Sequence, residues 1–175
     1  MILKIITQII GFVGFFLAVA TFQSNKHKNI TLIKCASDAM FVIQFILLGA
    51  YTGAIMNGIG CVRNIVYAQL VEKKKSVVTA VVIFSLIILL GGVVTWSGPI
   101  SLLAIVGKLL STLSYAFKKP KTVRLMTIPV CLVWGVYDAI SGSPAGVLTE
   151  VFTLASIATA YFRFDCKKED NTVNG

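Results

Sequence analysis

Six charged residues lie inside long apolar stretches of the sequence, where an ionised side chain is costly. They are Lys34, Asp38, Arg63, Lys108, Asp138 and Glu150. A charge at the centre of a membrane helix costs about 3 kcal/mol on insertion scales, so it needs an opposite charge or a water-filled cavity. Asp38 and Glu150 are the candidate acidic partners of the two most central bases, Arg63 and Lys108. The pattern leaves open which acid meets which base, and whether the pairs are functional or structural.

A stripe of polar residues also has helical spacing. Asn57, Gly60 and Asn64 lie three and four positions apart, so they share one face of a helix. In hydrocarbon an amide is costly unless it meets a partner or water, so this face is predicted to point toward other helices. The stripe either binds a polar solute or only joins helices, and the spacing is compatible with both.

The composition of the chain is that of an integral membrane protein. Of its 175 residues, 57% are hydrophobic and 13% are charged, and the mean hydropathy is +0.87. Soluble domains average about half apolar and about a quarter charged. A membrane-spanning helix uses roughly 20 apolar residues, so several such helices leave no room for a large extramembrane domain. The composition therefore excludes a soluble enzyme with a separate cofactor domain.

The sequence contains no motif for catalysis or metal binding. It has no G-x-S-x-G or H-E-x-x-H segment, and its one histidine, His27, lies in a predicted loop. No C-x-x-C spacing occurs among the four cysteines, which are Cys35, Cys61, Cys131 and Cys166. They therefore predict neither metal binding nor redox chemistry. We expect no enzymatic activity, no cofactor and no metal ion.

Hydropathy predicts seven membrane-spanning helices connected by short loops. They cover residues 2–22, 31–48, 54–71, 77–95, 100–117, 123–140 and 147–164. The fourth has no charged residue and is predicted to be a linker that faces lipid. Because several spans are short or carry charges, a count of six is the alternative. Aromatic residues near span ends are predicted to lie at the membrane surface: Phe22, Tyr67, Trp96, Tyr115 and Tyr161.

Basic residues in the connectors predict the orientation. Lys and Arg follow the first, third, fifth and seventh spans, whereas the connectors around 49–53, 91–99 and 141–146 contain neither. Cytoplasmic loops of membrane proteins are enriched in these residues. Seven spans then place the N-terminus outside and the C-terminus, with Lys167 and Lys168, in the cytoplasm. The net charge of +9 is explained by this topology, so no nucleic-acid partner is predicted.

The sequence also repeats with an interval of 93 residues. This shift aligns Gly14 with Gly107, Phe41 with Trp134, Gly49 with Gly142, and Gly53 with Gly146. One extra span separates the halves, so both have the same orientation, as parallel repeats do. The predicted fold is an all-α membrane protein with two parallel three-helix repeats. Their bounds are 1–71 and 98–164, joined by a linker with the fourth helix, 72–97, and followed by a short tail, 165–175.

This three-plus-one-plus-three plan resembles the SWEET and PQ-loop superfamily of small membrane transporters. Within it, the chain resembles the bacterial inner-membrane family YgjV, through LLGAYTGAIMNGIGCVRNIVY, SGPISLLAIVGKLLSTLSYAF and VWGVYDAISGSPAGVLTE. The resemblance implies an inner-membrane location and a solute pocket with Phe41 and Trp134 as its aromatic residues and Asn57 as its amide. Glu150 stands where the second amide is expected, and the Pro-Gln pair of the first helix is absent. A simple sugar carrier is therefore not implied.

We predict a carrier that moves a small polar solute, sugar-like or another small metabolite, by alternating access between the repeats. The residues predicted to contact the solute are Phe41, Asn57, Asn64, Trp134 and Glu150. The residues predicted to form an intramembrane charge network are Asp38, Arg63, Lys108 and Asp138. The alternative is a non-transporting membrane component for interaction or assembly that keeps the same fold. The predicted partners are the lipid bilayer and the solute, and self-association stays open.

Overall fold

A computed structural model describes residues 2–166 of the chain as a bundle of helices. In chain order these are α1 Ile2–Thr21, α2 His27–Leu47, α3 Tyr51–Glu72, α4 Val78–Val94, α5 Ile100–Ala116, α6 Pro120–Ile140 and α7 Pro144–Ala160, followed by the π-helix Tyr161–Cys166. No β-strand occurs among these residues, and the all-α fold with seven α-helices is as predicted. Most of the predicted tail 165–175, including Lys167 and Lys168, lies outside the described residues.

Four helices begin three or four residues earlier than hydropathy predicted. These are α2, α3, α6 and α7. The first turns of α2, α6 and α7 begin with His27, Pro120 and Pro144, which a hydropathy window scores as loop. Proline suits the first turn of a helix because the amide it lacks has no partner there. The N-terminus of α7 is further stabilised by the Ser143 hydroxyl, which accepts a hydrogen bond from the Gly146 amide at 3.1 Å.

Charged residues lie inside this bundle and large apolar residues lie outside. Arg63 and Lys108 are at most 2% exposed, whereas Leu90 and Leu132 are 67% and 62% exposed. Soluble proteins have the opposite distribution, and an extensive apolar surface needs a partner such as lipid. The arrangement therefore indicates a protein that is surrounded by membrane.

Two of the helices, α2 and α6, are long and apolar enough to cross a membrane by length and composition alone. Apolar helices α4, α5 and α7 contain 17 residues each, and the apolar part of α1 is Ile5–Thr21. At about 1.5 Å per residue, such a helix extends roughly 26 Å, slightly less than a hydrocarbon core of about 30 Å. Local thinning of the bilayer accommodates a difference of this size at modest cost.

Six of the helices form a closed ring. Helix α2 packs between α1 and α3, and α6 packs between α5 and α7. The ring is completed by contacts of α3 with α5 and of α7 with α1, while α4 packs on α3 and α5 from outside. This arrangement leaves a space at the centre of the ring that α4 does not reach.

Equivalent turns follow α2 and α6. Gly49 and Gly142 have φ values of +72° and +70°, in the left-handed region that favours glycine. The next amide in each turn, that of Ala50 or Ser143, donates to the carbonyl of Phe45 or Asp138 at 2.9 Å. Helix α6 also begins and ends 93 residues after α2, and α7 begins 93 residues after α3. Helix bounds and turns thus recur at the interval of the sequence repeat.

Candidate functional site

A cavity occupies the centre of the six-helix ring. Its empty space is about 560 Å³ when the open solvent at its mouth is counted. Each ring helix contributes to its lining, represented by Ala18, Lys34, Asn57, Lys108, Trp134 and Glu150, and no residue of α4 belongs to it. The cavity therefore lies where all six ring helices meet.

The structure brings most of the predicted solute-binding residues together. Phe41, Asn57, Trp134 and Glu150 all line the cavity. Asn64 is not among the lining residues, because its amide is used between Asp38 and Arg63. The two amides share a helical face but have different surroundings, because Asn57 reaches the cavity and Asn64 belongs to the charge network.

Asp38 is the centre of that network. Its buried carboxylate lies 2.6 Å from the ammonium of Lys34 and 3.6 Å from that of Lys108, and it accepts a hydrogen bond from the Asn64 amide at 3.2 Å. A buried carboxylate needs such compensation. Lys34 stands one helical turn before Asp38, so its side chain extends along α2 to an acid within the bundle.

Lys108 connects the network to the cavity. Its ammonium donates to the Asn57 side-chain oxygen at 3.2 Å and lies 5.5 Å from the centre of the Trp134 ring. Gly60 makes this approach possible, because a Cβ atom there would overlap the Lys108 ammonium and lie 2.7 Å from Asp38 Oδ2. The glycine in the polar stripe therefore provides space for an ion pair.

Arg63 is held by neutral oxygens. Its guanidinium donates to Asn64 Oδ1 at 2.8 Å, to Thr112 Oγ1 at 2.9 Å and to Ser111 Oγ at 3.0 Å. Among the described residues no carboxylate lies within ion-pair distance of it. The prediction of an acidic partner thus holds for Lys108, which lies near Asp38, while the Asn64 amide joins Arg63 to that acid indirectly.

Aromatic rings cover the rest of the Arg63 side chain. The guanidinium carbon lies 5.2 Å from the centre of the Tyr115 ring and 5.9 Å from that of Tyr67. Tyr67, Tyr115 and Phe22 are at most 1% exposed, so the prediction that they lie at the membrane surface was wrong. A position near a helix end suits an interfacial ring, but it does not reveal a buried cation on a neighbouring helix.

Asp138 and Glu150 line the opposite side of the cavity, on α6 and α7. Neither forms an ion pair with a residue that the structure describes. Asp138 is 3% exposed, and its buried Oδ1 atom has no hydrogen-bond partner there. Its carboxyl group packs on Gly146, where a Cβ atom would lie 2.6 Å from Oδ2. The acid that was predicted in the charge network therefore lines the cavity instead.

Two further polar atoms of the lining lack partners among the described residues. They are the buried hydroxyl oxygens of Tyr115 and Thr153. The sequence analysis assigned neither residue to the cavity. Thr153 had a usable signal, because the shift of 93 positions aligns it with Gly60 on the polar face of α3.

One end of the bundle is formed by the connectors 48–50, 95–99 and 141–143 and is termed here the non-basic end. Hydrogen bonds at this end connect the unit α1–α3 with the unit α5–α7. The Gly53 amide donates to the Tyr137 hydroxyl at 3.0 Å, and the Ser143 hydroxyl donates to Gln44 Oε1 at 3.4 Å. Each pair joins helices or turns on opposite sides of the cavity.

A second set of links lies at the end with the basic connectors, termed the basic end. Gln23 donates to the Ser156 hydroxyl at 2.7 Å, and the imidazole Nε2 of His27 lies 3.0 Å from the Tyr115 carbonyl oxygen. His27, to which the sequence analysis assigned no role, is 7% exposed and belongs to the start of α2. Both ends of the cavity are therefore crossed by hydrogen bonds.

The apolar exterior and polar interior are typical of a membrane protein, and a comparison of the whole sequence with known families leads to the same class. A profile of the family Imp-YgjV, described as "Bacterial inner membrane protein", matches residues 5–168. The chain belongs to the YgjV family. The YgjV match covers six helices completely, all of α1 except its first three residues, and both sides of the cavity, and it places the protein in the bacterial inner membrane. Comparisons with curated proteins and with solved structures gave no match.

Proposed function

We propose that the protein carries a small polar solute across the inner membrane by alternating access. The moving parts are two three-helix units, α1–α3 and α5–α7, which α4 connects. The observation that carries the proposal is the central cavity, because all six helices of these units contribute to its lining. Carriers built from repeats commonly bind their solute between them, near the middle of the membrane.

The ring of helices suits two equivalent units of the same orientation. Contacts of α3 with α5 and of α7 with α1 are the two joints between them. A single helix between the units gives them the same direction across the membrane, as in the SWEET and PQ-loop plan that the sequence resembles. The basic end is then cytoplasmic.

The proposed cycle uses the hydrogen bonds at the two ends as alternate gates. Opening the non-basic end breaks the Gly53–Tyr137 and Gln44–Ser143 bonds. Opening the basic end breaks the Gln23–Ser156 bond and separates His27 from Tyr115. A typical hydrogen bond contributes about 1 kcal/mol net, so each gate is weak enough for thermal opening. In the cavity, Trp134 and Phe41 pack on the solute while Asn57 and Glu150 bind it.

Reversible cross-links at the two gates test this cycle. The chain is prepared with its native cysteines replaced by alanine, which changes Cys35, Cys61, Cys131 and Cys166. One lock combines Gln44→Cys with Ser143→Cys, and the other combines Gln23→Cys with Ser156→Cys. Because cysteine is shorter than the glutamine it replaces, each pair is joined by a short bifunctional methanethiosulfonate reagent. In proteoliposomes, counterflow of sugars, amino acids and vitamins is measured before and after cross-linking. We expect either cross-link to reduce flux at least tenfold, and a reductant to restore it.

A third pair within one unit is the matched control. Cys35 on α2 and Cys61 on α3 are kept in this variant, and the Cys61 thiol lies 3.3 Å from the Cys35 carbonyl oxygen. Since α2 and α3 move together in the proposed cycle, cross-linking of Cys35 to Cys61 leaves the flux of that variant unchanged. Flux that survives both gate locks would refute alternating access, and absence of flux for every solute would refute transport.

The alternative, a non-transporting membrane component, is favoured by one observation. Arg63 on α3 donates to Ser111 and Thr112 on α5, which ties the two units together in the middle of the membrane. Buried polar networks of this kind hold a bundle in one arrangement. A stoichiometric partner that co-purifies from mild detergent, together with zero counterflow, would support this function over the carrier.

A further inference from the structure

The charges around the cavity are divided between its two sides. On one side, the ammonium groups of Lys34 and Lys108 lie 2.6 Å and 3.6 Å from the Asp38 carboxylate, and Asn64 links Arg63 to the same carboxylate. This side therefore combines three bases with one acid. Asp138 and Glu150 lie on the other side without an ion pair to a described residue. With every group in its ordinary charge state, the three bases and three acids sum to zero, but the cavity has a positive and a negative side.

Asp138 carries the feature that points to a ligand. Its side chain is almost fully buried, it lines the cavity, and its Oδ1 atom has no hydrogen-bond partner among the described residues. A buried acceptor without a partner costs about 1–3 kcal/mol, and more when it is charged. Lys34 also lines the cavity. Its ammonium nevertheless lies 2.6 Å from Asp38, so it is already paired.

An organic amine suits the negative side better than a metal ion does. No group of three or more potential metal ligands of the His, Cys, Asp or Glu type occurs among the described residues. The lining instead includes the rings of Phe41, Phe45 and Trp134. Aromatic faces attract organic cations, and the carboxylates accept hydrogen bonds from an ammonium group.

The positive side offers a donor for an anionic group. The Lys108 ammonium can donate three hydrogen bonds. It lies 3.2 Å from the Asn57 side-chain oxygen and 3.6 Å from the nearer Asp38 oxygen, so these two oxygens use at most two of its hydrogens. A neutral molecule with both charges keeps the sum of charges in the cavity at zero. A simple cation or a simple anion would instead add an uncompensated buried charge.

We propose that the solute is a small zwitterion of the amino-acid class, with its ammonium group on Asp138 and Glu150 and its anionic group toward Lys108. The inference rests on the proposed function, because it names the class of solute for the same cavity. It requires both charged groups on one molecule, and this requirement is directly testable with blocked derivatives.

Binding to the purified full chain in detergent is measured by calorimetry and by the shift in melting temperature. The probes are the twenty common L-amino acids, added singly, and neutral hexoses as controls of a different class. For each amino acid that binds, its N-acetyl derivative lacks the ammonium group and its amide lacks the carboxylate. We expect both derivatives to bind at least tenfold more weakly than the parent. Equal binding of the N-acetyl derivative, or binding of hexoses alone or of no probe, would overturn the inference.

Variants locate the ammonium group. Asp138→Asn and Glu150→Gln are each expected to weaken binding of the amino acid at least tenfold while changing binding of its N-acetyl derivative less than twofold. Glu72→Gln is the matched control, because it also converts a carboxyl to an amide but removes an exposed ion pair with Lys28. Either cavity variant suffices if the other does not fold. Unchanged amino-acid affinity in a folded cavity variant would contradict this placement.

Counterflow in proteoliposomes separates the two proposals. An amino acid that binds as described but shows no flux would refute the carrier and leave the binding site. Flux of a hexose without binding of any amino acid would refute the zwitterion and leave the carrier. Flux of the bound amino acid supports both.

Discussion

At the scale of single residues, two carboxyl groups in the membrane interior have opposite surroundings. Asp38 is compensated by Lys34, Lys108 and the Asn64 amide. Glu150 lines the cavity and forms no ion pair with a described residue. The first is therefore held by other residues of the fold, whereas the second faces the cavity.

This difference predicts unequal effects of the same chemical change. Asp38→Asn leaves the buried Lys108 ammonium and the partly buried Lys34 ammonium without their anion, so we expect a loss of about 3 kcal/mol or more and lower expression. Glu150→Gln leaves no base unpaired, so the expected change in stability is below about 1 kcal/mol. The melting temperatures of the two variants in the same detergent measure the difference. Similar losses in both variants would show that Glu150 is also half of a structural pair.

At the scale of elements, α4 has two distinct faces. Ala80, Phe84, Ile88 and Gly92 are buried and recur every four residues, which forms one stripe along the helix. Gly91 and Gly92 lie against α3 and α5, close to Ile59 and Ile105. The predicted linker that faces lipid is therefore also a packed element, which contacts both halves of the ring.

Substitutions on the two faces of α4 are expected to differ in effect. Ile88→Ala removes a fully buried side chain and leaves a cavity, which costs about 2 kcal/mol. Leu90→Ala removes a side chain that is 67% exposed, and its cost is expected to be below about 0.5 kcal/mol. Thermal unfolding in one detergent compares the pair. Equal losses would place Leu90 in an interface, such as one with a second copy of the chain.

At the scale of the whole molecule, the arrangement of the connectors predicts the topology. All connectors of the basic end should lie in the cytoplasm, and those of the non-basic end should lie outside. Reporters fused after Gly175, or inserted near Lys74 or Lys119, are therefore expected to report the cytoplasm. A reporter near Gly98 or Ser143 is expected to report the opposite side. An external C-terminus would refute the parallel arrangement of the two units.

Local sequence patterns determined the helices and their turns. Hydropathy identified the seven segments that form α-helices in the structure because each contains a long apolar stretch. The glycines at 49 and 142 marked equivalent turns, since each adopts a backbone conformation that favours glycine. Helical spacing also identified Asn57 as a residue that points inward, because side chains three or four positions apart share a face.

Tertiary packing decided the partners of the buried charges. Arg63 and Ser111 are far apart in sequence and belong to different halves, so no local pattern predicts that they bind each other. The same holds for Lys108, which reaches Asp38 only because α5 packs on α3 beside Gly60. A side chain in the membrane interior has several neighbouring helices within reach. The rotation and depth at which those helices pack therefore determine whether it pairs with another residue or lines the cavity.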